Sequence, residues 1–269
     1  MFSVFKTYLN VLLAFVNFQL KYALEYRVNF LLQAFYGPAY VTILFSILQV
    51  AYSHTETIAG WTKPETMVIF CIFHFLYVIG ATFFMKGIRN LMWNDVRLGN
   101  IDMMLTKPIK FQFLVSFREP AFNQILLFFS LLPLFYYQIS TNPDIISHSP
   151  IDILLFALSL IIGILIFYFA VSTYATSAFF FSKASQVIEL FDKISDYSQY
   201  PLPLFPESLQ LLLVTVVPVA FFSYVPALFI LGKGSFLWLA GSIVFLCVLI
   251  GINQFCWKYA LRHYSSASS

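Results

Sequence analysis

The feature that most limits this chain is a series of apolar stretches, each close to twenty residues or longer, recurring from Val28 to Trp257. A helix needs about 20 apolar residues to cross a hydrocarbon core, and in lipid every backbone N–H and C=O must find a partner inside the protein. Such stretches are expected as membrane-spanning helices. Composition agrees: 60% of residues are hydrophobic and only 10% are charged, where a soluble domain carries about 25%. That leaves too little polar surface to cover a core of this size. The expected fold is an all-α polytopic membrane protein of about six transmembrane helices, one domain over residues 1–269, without internal repeat or linker.

The stretches fall at Val28–Tyr52, Met67–Met85, about Phe111–Ile139, Ile151 to about Phe181, Leu209–Leu231 and Phe236–Trp257. Gly37-Pro38 predicts a kink in the first. Ahead of it, Val4–Leu20 is apolar but interrupted by Lys6, Asn10, Asn17 and Gln19. With no small-x-small cleavage site after it, this segment reads as an amphipathic helix in the membrane interface, over residues 1–27, rather than a signal peptide. A seventh span is the alternative.

Lys and Arg placement sets the orientation. With both termini cytoplasmic, Lys6, Lys21, Arg27, Lys86, Arg89, Arg97, Lys107, Lys110, Arg118, Lys183, Lys193, Lys258 and Arg262 fall inside. Only Lys63 and Lys233 fall outside. The expected location is the plasma (cytoplasmic or inner) membrane, with lipid as the main solvent.

The fifth span is ambiguous. Leu209–Leu231 is the more hydropathic choice, but Pro218 and Pro226 suit an element that dips into the membrane from outside and returns. The span would then lie around Phe179–Tyr200, against which Lys183, Glu189, Asp192, Lys193 and Asp196 argue. Hydropathy favours 209–231.

Little in the chain points to catalysis. A net charge of +3, with no basic stripe outside the apolar runs, argues against nucleic acid. Cys71, Cys247 and Cys256 lie unpaired in apolar runs, as small hydrophobes do. His74 is the one titratable residue inside a span, and a neutral, hydrogen-bonded ring is its plainer reading. The other histidines lack metal-ligand spacing, and no hydrolase or metalloprotease pattern occurs. Gly232-Lys233-Gly234 lacks the rest of a phosphate loop, so the chain is not expected to hydrolyse ATP, bind a cofactor or hold a metal by itself. The uncharged spans argue against ion-driven transport, which needs an ionisable group at mid-membrane.

The polar excursion Lys86–Lys110 carries more information. Leu91, Asp95 and Leu98 fall at helical spacing, Gly99 suits a helix stop, and Ile101, Met104 and Leu105 form a second short apolar stripe. A merely solvated loop has no need of these or of Trp93. Two short amphipathic helices on the inner face suit a docking surface for a cytosolic partner.

Here the residues resemble a known family. Trp93, then Val96-Arg97-Leu98-Gly99-Asn100-Ile101-Asp102, then Leu105-Thr106-Lys107-Pro108 is similar to the signature of type-2 ATP-binding-cassette (ABC-2) export permeases, in the branch written W-x-x-[IV]-R-x-G-x-[IL]-D-x-x-L-x-[KR]-P. Tyr200-Pro201, Phe205-Pro206-Glu207-Ser208-Leu209, Pro218 and Val225-Pro226-Ala227 agree, as does the end, Trp257-Lys258 and Arg262-His263-Tyr264-Ser265-Ser266-Ala267.

The resemblance implies a non-enzymatic half-transporter. Two six-span permeases, identical or related, would pair, each engaging a separate ABC ATPase subunit that holds ATP and Mg. Residues 86–110 would be the coupling segment, with Trp93, Asp95, Arg97, Leu98, Gly99, Asp102, Leu105, Lys107 and Pro108 as its ATPase-coupling residues. Asp95, Arg97 and Asp102 would anchor it through charge-assisted contacts. Residues 1–27 would be the elbow helix, and Pro201, Pro203, Pro206, Pro218 and Pro226 would belong to an outer element that helps close the exit. The substrate pathway is unassigned. An amphipathic, drug-like or lipid-like cargo fits the 33 Phe and 16 Tyr residues, although these rings also serve packing and lipid contact. The alternative is a membrane-embedded enzyme or assembly factor that docks another cytosolic protein through 86–110.

Overall fold

The computed structural model describes residues 2–181 and 183–265. Ser182, and Ser266-Ala267 of the C-terminal motif, lie outside the described residues, as do the side chains of Val4, Arg27 and Gln33. Helices α1 (Phe2–Glu25) and α2 (Arg27–Ala51) are followed by a short hairpin, β1 (Thr57–Ile58) and β2 (Trp61–Thr62). Next come α3 (Lys63–Asp95), α4 (Asn100–Leu105), α5 (Phe111–Phe117), α6 (Phe122–Thr141) and α7 (Pro150–Phe179). The chain ends with α8 (Ser185–Ser195), α9 (Glu207–Thr215), α10 (Val219–Ile230) and α11 (Phe236–His263).

Among the described residues, α3, α6, α7 and α11 are long and apolar enough to cross a membrane, and the bent pair α9–α10 brings the number to five if counted as one span. Within the 25-residue α2, Phe35–Ala51 is apolar as well. This is an all-α polytopic membrane protein. The 24-residue α1 is not among the spanning candidates.

Two of the long helices start at a local capping signal. Thr62 and Glu65 form a capping box, with the Thr62 N–H donating to Glu65 Oε2 at 3.1 Å and Pro64 in the first turn of α3. The Ser235 hydroxyl accepts from Leu237 N at the start of α11. Pro38 leaves α2 a single helix.

Three boundaries differ from expectation. The second apolar stretch does not stop at Met85. Helix continues to Asp95 through two wide π-type turns, Ala81–Met85 and Leu91–Asp95, because its charged residues find partners inside the protein. The third stretch is not one helix. It breaks at Arg118-Glu119-Pro120, where proline cannot supply the helical N–H and the two charges are used in ion pairs.

The third difference concerns residues 185–230. Asp192 meets Arg89, Asp196 shares a cavity with Tyr77 and His74, and Tyr200 packs on the cluster containing Phe70 and Met67. The segment from Ser185 to Tyr200 thus runs beside α3. The apolar residues 209–231, favoured by hydropathy as a straight span, instead bend by 74° between α9 and α10. The far end of α10 returns to the end of the molecule where α3 begins: Ile230 O accepts from Ser147 N at 2.8 Å, and Lys233 pairs with Glu65 at 2.8 Å. Its bend lies deep, where the Phe221 carbonyl fits against Gly163, Phe222 stacks near Phe167, and Val216 O accepts from Tyr174 Oη at 2.8 Å. Pro218 makes the bend possible, and residues 217–230 are buried throughout.

The core runs through α3, α7 and α10, with Ile69, Ile72, Phe84, Ile166, Phe167, Val225 and Phe229 fully enclosed. A polar clamp near the other end holds α5, α7 and α11 together. Gln112 Nε2 donates to Asn253 Oδ1 at 2.8 Å and to Ser172 Oγ at 2.9 Å, and Trp257 Nε1 donates to the same Ser172 oxygen at 2.9 Å.

Candidate functional site

The segment between α3 and α5 forms a compact elbow at the end of the molecule that gathers Arg97, Lys107 and Lys110. It hangs directly from α3, a helix of 33 residues without interruption. Leu98 N still bonds to Asn94 O at 2.8 Å, and Gly99 then turns the chain with a φ of 71°, a left-handed conformation that a side chain disfavours. Helix α4 follows at once, and Thr106–Lys110 leads into α5.

Two sets of side chains separate here. Leu91, Ile101 and Met104 are buried and knit the elbow to the bundle, so they are not part of an outward docking stripe. Their burial follows from the close approach of the neighbouring helix: a Cβ on Gly87 would lie 2.2 Å from the Val115 carbonyl oxygen. Outward lie Arg97, Leu98 (63% exposed), Met103 (71%), Leu105 (44%), Lys107 and Pro108. Trp93 faces a cleft that it shares with Gln19 and Tyr22 of α1. Asp102 stands half-buried in the first turn of α4.

Asp95 is turned inward. It forms a buried ion pair with Arg118 and accepts from Asn100 Nδ2 at 3.2 Å. Arg118 Nε also lies 3.1 Å from Glu119 Oε1, and Glu119 reaches Lys86 at 4.0 Å and accepts from Asn90. This network joins the foot of α3 to the break ahead of α6. The signal for it was an Arg-Glu-Pro triplet inside an otherwise apolar run. Met103, the most exposed of the apolar residues in the elbow, falls outside the periodic stripe and carries no signal of its exposure in the sequence.

Helix α1 closes the arrangement from the side. The Tyr8 ring meets Phe113 edge-on at 4.8 Å, and its hydroxyl accepts from Lys110 N at 3.1 Å. The five prolines of the C-terminal third do not act alike: Pro201, Pro218 and Pro226 are buried, whereas Pro203 and Pro206 are exposed.

Among the described residues no group of three or more His, Cys, Asp or Glu side chains is arranged to hold a metal. The architecture is that of a membrane bundle with a rigid helical stalk ending in an exposed, basic and apolar turn. A family model described as ABC-2 family transporter protein matches residues 39–268. The chain belongs to the ABC-2 transporter family. No curated protein and no solved structure gives a match. The match covers the elbow, the residues of α8 and the bent pair, so the signature at Trp93–Pro108 sits within an ABC-2 permease over nearly its whole length.

Proposed function

We propose that this ABC-2 permease is the membrane half of an exporter, and that the exposed turn Arg97–Pro108 receives force from a separate ATP-binding subunit. The observation that carries this reading is mechanical: the turn ends a 33-residue helix that runs without a break to the opposite side of the bundle. A push on Leu98 and Leu105 is therefore applied to one end of a continuous helix. The Asp95–Arg118 pair passes the same displacement to α6.

In this reading both termini and the basic elbow are cytoplasmic, in a plasma or inner membrane. The six spans are α2, α3, α6, α7, the 185–200 segment and α11. The pair α9–α10 is a re-entrant element entered from outside, with Pro201, Pro203 and Pro206 at its mouth and Pro218 at its turn. Two such permeases, identical or related, flank the pathway for an amphipathic cargo, and ATP and Mg are held in the partner ATPase. Arg97 and Asp102 engage that partner, whereas Asp95 acts by holding the elbow in shape. Helix α1 lies in the inner interface against Lys110 and Phe113, consistent with its contacts there.

The test is ATP hydrolysis by the partner subunit reconstituted with permease in nanodiscs. Arg97→Glu is expected to abolish the stimulation that the intact permease gives, with normal insertion. Unchanged stimulation by Arg97→Glu together with Leu98→Asp would remove the turn from the mechanism.

A further inference from the structure

We infer that a cavity between α2, α3, α6 and the 185–200 segment binds a lipophilic organic cation; this rests on the reading of the chain as an exporter and names the cargo class of its pathway. The cavity encloses about 320 Å³. Its wall includes Tyr36 and Tyr40 of α2, His74 and Tyr77 of α3, and the carboxylates of Asp192 and Asp196.

Three observations converge on that guest. The two carboxylates are unequal: Asp192 is paired with Arg89 at 2.8 Å, whereas among the described residues Asp196 has no basic group at ion-pair distance. An unmatched carboxylate beside apolar membrane helices is costly, and a cationic guest relieves it. The rings supply the second term, since tyrosine faces attract cations within about 6 Å. Tyr36 and Tyr40 stack at 5.9 Å, and Tyr40 lies 6.1 Å from the His74 ring, so the aromatic wall is continuous.

The third observation concerns a neutral group. His74 is 1% exposed; its Nδ1 lies 2.9 Å from the Phe70 carbonyl and therefore donates to it, and among the described residues Nε2 is left as an acceptor without a partner. The bare lone pair is the negative end of the imidazole dipole, which attracts a cation even when that cation has no hydrogen to donate. Access follows from the same wall. Tyr36 is 68% exposed and Asp196 is exposed, so the cavity opens to the side of the protomer. A cytoplasmic-side cleft lined by Lys86 and Arg89 shares Tyr77 and Gln124 with it, and the Arg89–Asp192 bridge stands between the two.

The experiment uses tetraphenylphosphonium as probe and tetraphenylborate, of the same shape and opposite charge, as control. Binding to the permease in phosphatidylcholine nanodiscs is read as the saturable excess over empty nanodiscs. Tetraphenylphosphonium is expected to bind saturably and tetraphenylborate not to. Asp196→Asn is expected to weaken the cation about tenfold or more, Tyr40→Leu about fivefold, and Glu189→Gln, exposed on the same helix but outside the cavity, not at all. Equal saturable binding of both ions, no saturable binding of the cation, or full affinity in a normally folded Asp196→Asn variant would overturn the inference. Retention of the ATPase subunit is scored on the same preparation. Loss of cation binding with the ATPase retained defeats the site alone, whereas cation binding without the ATPase defeats the exporter reading alone.

Discussion

Arg89 and Asp192 lie 2.8 Å apart, joining the lower part of α3 to α8 across 103 residues of sequence. The guanidinium and the carboxylate are both mostly enclosed, with side chains 24% and 29% exposed. This pair lets a charged helix pack beside an apolar one. A lone charge there would be expelled, whereas a matched pair is held by its partner.

Removing one member of the pair is expected to cost more than removing both. Arg89→Met and Asp192→Leu should each destabilise the permease by about 1–3 kcal/mol, less than for a fully buried pair because both groups keep some solvent. The double variant should recover part of that loss. Thermal unfolding in detergent of the four proteins in the cycle reads the coupling, and strictly additive losses would deny it.

Asp95 and Arg97 are two residues apart and should behave oppositely. Asp95→Ala strips a buried partner from Arg118 and is expected to lower stability by about 2–4 kcal/mol. Arg97→Ala changes an exposed group and should stay within about 0.5 kcal/mol. The same unfolding assay separates them, and equal effects would contradict the division between inward and outward residues of the elbow.

The path of residues 185–230 predicts a labelling pattern. In a variant lacking Cys71, Cys247 and Cys256, Ser208→Cys and Gly232→Cys should both react with a membrane-impermeant maleimide added from outside intact cells. A single straight span over 209–231 would place the two on opposite faces, with only one reactive.

The polar clamp should be measurable as well. Asn253 is fully buried, accepts from Gln112 and donates to Thr173 at 3.0 Å. Asn253→Leu is expected to cost about 1–2 kcal/mol, since hydrogen bonds between membrane helices are each worth roughly 0.6–1.7 kcal/mol. No change in unfolding temperature would mean that packing alone holds α5, α7 and α11.

Much of this architecture was legible in the residues. Apolar runs of bilayer length locate α3, α7 and α11 because hydropathy is a local property, and Thr62–Glu65 and Ser235 mark helix starts within a few positions. Hydropathy is least informative at 185–200 and 209–231, for one reason. Asp192 looks prohibitive until Arg89 is known to face it, and the 74° bend within 209–231 shows only once Phe221 and Phe222 are seen packed on Gly163 and Phe167. Both depend on partners distant in sequence. The elbow was half legible: Gly99 and the motif from Trp93 to Pro108 locate it, but periodicity could not tell Ile101 and Met104, which face the bundle, from Leu98 and Met103, which do not.

The most direct measurement is retention of the ATP-binding subunit by affinity-tagged permease in detergent, comparing the intact chain with Leu98→Asp/Leu105→Asp. These two side chains are exposed, so the double variant leaves the buried Ile101 and Met104 untouched. The intact permease is expected to retain the ATPase and the variant to lose it, with equal amounts of folded protein in both. Equal retention by the two proteins, or none by either, would contradict the claim that this turn is where ATP-driven motion enters the membrane helices.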